Sequence, residues 1–291
     1  MRKFYHYYFI LFFLFSCSKW DKPEQIPAYI YIDKIDLSVT PTQGTASHGI
    51  IDAWVYVNDQ PVGVFDLPCT VPVLAEGSPK ITIAPGIKND GLTESRAKYS
   101  LLQNFTTTSL TLIPGKIVNM DGVNQPVVTY YPSTDIEIWN ENFDNASIDF
   151  VSDPNSEAGV TFIGDSTIAF EGQGMGEIEL VSGLTYARVI TSQSFNLPKF
   201  GKTVYVEMNY NTNNTMAVGI QAITGVDFTN LDNTVIKASG GEWKKIYVKL
   251  TDLVSQQVNA TSFKFIITIT KDSDVTTVQN YIDNFKVVYD K

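Results

Sequence analysis

The stretch KTVYVEMNYN alternates two kinds of residue: Val204, Val206 and Met208 fall on one side, Tyr205, Glu207 and Asn209 on the other. Such alternation fits an extended strand, because successive strand side chains point to opposite faces. Related β-branched and aromatic runs recur in AYIYIDKIDLSV, IIDAWVYVN, KITIAPG, SLTLIPG, PVVTYY, KKIYVKL and SFKFIITITK, separated by Gly, Asn, Asp and Pro. Helical periodicity is nearly absent. The chain therefore reads as all-β, with strands that bury one face and wet the other, as antiparallel sandwich strands do. Its 291 residues suit two domains of ordinary size, and no repeat of solenoid period is visible. The composition shifts at Pro132, Ser133 and Thr134. This places one β-sandwich at 28–131, a linker at 132–134 and a second sandwich at 135–291.

The first residues pose a separate problem. Arg2 and Lys3 precede an apolar, aromatic run from Phe4 to Phe15, broken only by His6 and closed by Ser16 and Cys17. A charged start, an apolar stretch and a small residue before the break describe a secretory signal. The run is shorter than the ~20 residues a spanning helix requires. Leu14-Phe15-Ser16-Cys17 resembles a bacterial lipobox, in the relaxed form of Bacteroidota lipoproteins. That resemblance implies a signal peptide at 1–16, a lipidated Cys17 and a polar tether at 17–27. It implies anchoring to the outer membrane, and display at the cell surface is expected over the periplasmic face. Trp20, in the tether, suits the lipid interface. An ordinary signal peptide with an incidental cysteine is the alternative.

Removing residues 1–16 takes away Arg2 and Lys3, leaving 19 basic against 31 acidic residues and a net charge of −12. This argues against nucleic-acid binding, which calls for a basic footprint. Cys69 is then the one cysteine left besides Cys17, so no disulfide framework is expected. In LPCTVPVL it reads as a small core hydrophobe, with a reactive or pairing thiol as the alternative.

In the first domain, Asn58, Asp59 and Gln60 followed by Pro61 and Gly63 predict a tight hairpin, and Trp54 reads as core. The stretch AWVYVNDQPVGVFDLPCTVPVLAEGSPKITIAPGIKNDG resembles the PEGA-type small β-sandwich, which implies a spacer or docking platform. The second domain opens with IEIWNENFDN, passes through GGEWKKIYVKLTDL and SFKFIITIT, and ends with YIDNFKVVYD. It is similar to galactose-binding-like and carbohydrate-binding jelly rolls. The likeness implies that first and last strands lie side by side. It also implies a structural calcium held by Glu141 or Asp144 together with Asp283; local side-chain hydrogen bonds at Asp283 and Asn284 are the alternative. Trp243 is a candidate sugar-stacking platform, though the likeness also allows it a core role. Trp139, Tyr186 and Tyr210 are other candidate platforms.

Catalytic signals are few. His6 departs with the signal, leaving His48. There is no Gly-x-Ser-x-Gly elbow and no His-Glu-x-x-His helix, and zinc sites built on several histidines are excluded. GQGMG at 172–176 leads into EIELV, a predicted strand, so it reads as a turn and not a dinucleotide fingerprint. An enzyme is not expected. The leading expectation is a non-catalytic subunit docking on an outer-membrane protein or another lipoprotein. A glycan-binding lipoprotein of a polysaccharide-capture system is the alternative, followed by a glycosidase working through two carboxylates.

Overall fold

A computed structural model describes residues 24–291. The signal peptide, Cys17, Trp20 and most of the expected tether lie outside the described residues. The described chain is built on strands, with one short α-helix, Thr251–Gln256, and 3-10 turns at Pro41–Gln43 and Gly122–Asn124.

The first sandwich brings together three groups of strands. β1 (Ala28–Ile32) lies between β5 (Cys69–Val73) and β9 (Ile117–Met120). β2 (Asp36–Ser38) pairs in parallel with β10 (Val127–Thr129). The third sheet runs β4 (Gln60–Asp66), β3 (Asp52–Val57), β6 (Ile81–Lys88), β7 (Arg96–Lys98), and β8 (Phe105–Thr107) pairs with the other half of β6. β3 and β4 form the expected hairpin. Asn58 and Asp59 both take positive φ, at 48° and 65°, which suits a tight turn following the twist of its strands. Ile30, Ile32, Val55, Ile81 and Ile83 are buried between the sheets. Trp54 departs from its core assignment. Ala53, Val55 and Val57 point inward, so period-2 alternation turns Trp54 and Tyr56 outward, where the Lys98 ammonium lies 5.8 and 5.6 Å from their ring centres. Cys69 is half-buried against the core, and burial pushes its thiol up to about 11.

The second sandwich has two layers. The front sheet runs β13 (Thr161–Ile163), β14 (Met175–Leu180), β21 (Val278–Asp290), β16 (Val204–Thr212), β19 (Lys244–Lys249). β11 (Ile136–Glu141) pairs with the second half of β21, so the first and last strands of this domain are neighbours, as expected. The back sheet runs β12 (Phe150–Ser152), β15 (Tyr186–Thr191), β20 (Ser262–Thr270), β17 (Met216–Thr224), β18 (Asp227–Ile236). Val206, Met208, Val218, Ile220, Phe265 and Val287 fill the space between the sheets. Burying each such side chain contributes roughly 1.5–3 kcal/mol.

The other face of β16 is not wet. Tyr205, Glu207 and Asn209 are buried because the first sandwich lies across the front sheet. Tyr205, Tyr247 and Val288 of the second domain share one apolar cluster with Tyr99, Leu101 and Tyr130 of the first. The Tyr99 ring meets those of Tyr205 and Tyr247 edge-on, each at 5.1 Å.

Candidate binding cleft at the domain junction

The junction is a polar sheet face held under an apolar lid. β16 and β21 pair with a bulge: Glu207 lies opposite Lys286, but Asn209 lies opposite Asp283. The irregularity, with Asn284 at a φ of 50°, re-aims side chains as bulges do. Glu207 is fully buried and accepts hydrogen bonds from the hydroxyls of Tyr99, at 2.5 Å, and Tyr130, at 2.8 Å. Burial, reinforced by the Glu207 charge, holds both phenols well above the usual tyrosine range. Lys286 donates to the Thr45 carbonyl at 2.5 Å, and burial lowers its pKa. Ser47 donates to Asn209 Oδ1 at 2.7 Å, and Thr45 to Asn284 Oδ1 at 3.0 Å. Buried polar groups persist only when such partners are supplied, so this set fixes the first sandwich in one position.

Beside this network a cleft of about 490 Å³ opens between the domains. His48, Gly49, Ile51, Lys88 and Gly91 line it from the first sandwich; Phe170, Asn209, Tyr210, Trp243, Lys244, Lys245 and Tyr247 line it from the second. None of these residues is acidic. The Trp243 indole N–H donates to the Ile168 carbonyl at 3.0 Å, and Phe170 meets the same ring edge-on at 5.9 Å. These contacts hold an aromatic rim in place. At the wall, the Lys245 side chain is only 5 % exposed. Its Nζ reaches Asn209 Oδ1 at 3.4 Å and lies 3.8 Å from Glu207 Oε2, an oxygen that receives no hydrogen bond. Burial pushes the Lys245 pKa down to about 8, against the opposing pull of Glu207. Burial likewise lowers the pKa of His48, whose Nδ1 accepts the Ile50 N–H at 3.3 Å.

The residues singled out in the sequence divide among several places. Trp243 and Tyr210 meet at the cleft, where Trp243 forms rim and the largely buried Tyr210 forms wall. Trp139, partly buried, packs edge-on against Phe150, Phe195 and Phe285 beside the second core, away from this cleft. Tyr186 stands on the outer face of the back sheet, 5.5 Å from the Arg188 guanidinium. Arg188 in turn donates to Thr268 Oγ1 at 3.0 Å and lies 3.7 Å from Asp232.

The three carboxylates considered for calcium each accept N–H donors. Glu141 takes the main-chain N–H groups of Phe143 and Asp149, both at 2.8 Å. Asp144 takes the Gln173 N–H at 3.0 Å and the Asn142 side-chain amide at 2.7 Å. Asp283 takes the N–H groups of Asn284, at 2.7 Å, and Glu171, at 3.3 Å, while burial pushes its pKa up to about 7. Among the described residues no group of three or more His, Cys, Asp or Glu side chains is placed to hold a metal ion. Gly172 turns at a φ of 74°, and the GQGMG run enters β14, a strand.

Sequence reasoning missed Lys245, Asn209, Lys88 and His48 as cleft residues. Lys245 had a faint signal: in EWKKIYVKL it shares a face with Tyr247, and an aromatic neighbour on the nominally wet face hints at cover.

No family model matches the chain, and no curated protein matches it. Several solved structures are similar in outline. The family 11 carbohydrate-binding module of Clostridium thermocellum, solved with a β-1,3-1,4-mixed-linked tetrasaccharide, is 13 % identical, with 53 % of this chain and 95 % of that chain covered and a TM-score of 0.37. A structure from work on promiscuous carbohydrate-binding modules of the β-sandwich superfamily is 15 % identical, covering 90 % of this chain and 98 % of that one at a TM-score of 0.36. A module solved with β-1,4-galactotriose is 15 % identical, covering 47 % and 85 % at a TM-score of 0.30. The likeness is one of fold alone.

Proposed function

We propose that the chain is a non-catalytic glycan-binding protein, anchored through lipid on Cys17 to a bacterial outer membrane, displayed at the cell surface and holding a saccharide in the junction cleft. One observation carries this reading: a preformed cleft places an aromatic rim, Trp243 and Phe170, beside amide, hydroxyl and ammonium groups. Aromatic faces suit the apolar side of a sugar ring, and convergent polar groups select its hydroxyls. A cleft set by a rigid junction loses little freedom on binding. The anchor rests on the lipobox-like Leu14-Phe15-Ser16-Cys17.

Glycoside hydrolysis needs two carboxylates at the scissile bond. No Asp or Glu lines the cleft, and Glu207 and Asp283 are fully buried. The test is a glycan array probed with the full-length protein in mild detergent, followed by titration of the best saccharide. Trp243→Ala is expected to weaken that saccharide at least tenfold with the fold intact. An array on which wild type binds nothing overturns the reading.

A second reading, docking on an outer-membrane protein or another lipoprotein, is favoured by the exposed apolar residues Ile26, Leu74, Ile113 and Ile117 of the first domain. It predicts a stoichiometric protein partner in a mild-detergent pull-down, and a protein that elutes alone counts against it.

A further inference from the structure

The charge of the cleft points to a class of saccharide. The whole chain carries a net charge of −10, yet the cleft wall gathers Lys88, Lys244 and Lys245 without one acidic residue. An ammonium offers three donors. Lys245, though almost wholly buried, has one long hydrogen bond, to Asn209 Oδ1, and a loose ion pair with Glu207 Oε2 at 3.8 Å. Asn209 Oδ1 is itself shared, since Ser47 Oγ already occupies it at 2.7 Å. Burial disfavours the charged ammonium most, Lys286 adds to that, and Glu207, Glu171 and Asp283 pull the other way. Lys245 therefore stands in the cleft wall with a loosely held ammonium, in surroundings where water screens charge poorly.

Resting on the glycan reading above, we infer that the cleft takes an acidic saccharide, with a uronate carboxylate against Lys245 Nζ and the sugar ring against Trp243. The carboxylate offers the loosely held Lys245 two charged acceptor oxygens, and Lys88 and Lys244 line the same cleft. A neutral sugar offers hydroxyls, which make weaker bonds to an ammonium than a charged oxygen does.

The experiment is calorimetric titration of the full-length protein in mild detergent. The probes are tetramers of galacturonate, glucuronate and mannuronate, each beside its neutral hexose counterpart of the same linkage. At least one uronate tetramer is expected to bind ten times more tightly than its neutral partner. Lys245→Met is expected to reduce that preference below twofold. Because this change removes a buried charge beside Glu207, the exposed Lys244→Gln provides a second arm, expected to reduce the preference two- to threefold without moving the melting temperature. Equal affinity for acidic and neutral tetramers overturns the inference and leaves the glycan reading standing. A uronate preference that neither lysine change alters also overturns it. Failure of every tetramer, acidic or neutral, together with an empty glycan array, removes both.

Discussion

The second sandwich has two outer faces, both polar in sequence, that meet opposite fates. On the front sheet Tyr205, Glu207, Asn209 and Lys286 are buried beneath the first sandwich. On the back sheet Tyr186 and Arg188 remain partly exposed, with Arg188 spanning Thr268 and Asp232. The same alternation of residue types produced both. The difference teaches that the period of a strand says which side faces its own core, while the cover on the other side is decided by partners far away in sequence.

That contrast can be broken most forcefully at Glu207. Glu207→Ala strips an acceptor from Tyr99 and Tyr130 and takes from the buried Lys245 its ion-pair partner. The expected loss is about 3–5 kcal/mol in chemical denaturation. A loss below about 1 kcal/mol would mean that the junction is open in solution.

The next effect is in pH. Lys245 has a folded-state pKa of about 8, against an ordinary value of 10.5. Between those values the unfolded chain holds more protons than the folded one, so raising the pH favours the folded state. Relative to Lys245→Met, the wild type should gain stability on the order of 2 kcal/mol as pH rises from 8 towards 10.5. A difference that stays flat over this window would place the ammonium in water.

On the back face the expected effect is smaller. Arg188→Ala removes a partly exposed pair with Asp232 and should cost no more than about 1 kcal/mol. A cost matching that of Glu207→Ala would erase the distinction between the faces. Smallest of all is the effect of chelation. With Glu141, Asp144 and Asp283 already accepting loop N–H groups, EDTA should leave the melting temperature where it was. A marked fall would assign the loop clamp to calcium.

Much of the framework could be read from residues. Val204, Val206 and Met208 point inward as their spacing demands, and Asn58-Asp59 makes the hairpin because both residues tolerate positive φ. Trp54 shows the cost of weighing size above position: its neighbours Ala53 and Val55 hold the inward places. Trp243 was legible as a candidate platform, since aromatic faces suit sugar rings. Tyr210 was legible beside it, but Lys245, His48 and Lys88 were not. His48 and Lys88 reach the cleft only because two sandwiches dock, and no local pattern encodes that docking. Glu207 looked like solvated surface for the same reason.

The central claim is that the ligand sits at the junction and not on the open back sheet. Hydrogen exchange read by mass spectrometry, with and without the tightest saccharide from the array, tests it directly. The account predicts added protection at residues 48–51, 168–171 and 241–245, the segments around the cleft, and none at 151–154 or 226–232. Protection confined to those back-sheet segments, with the junction unchanged, would contradict it.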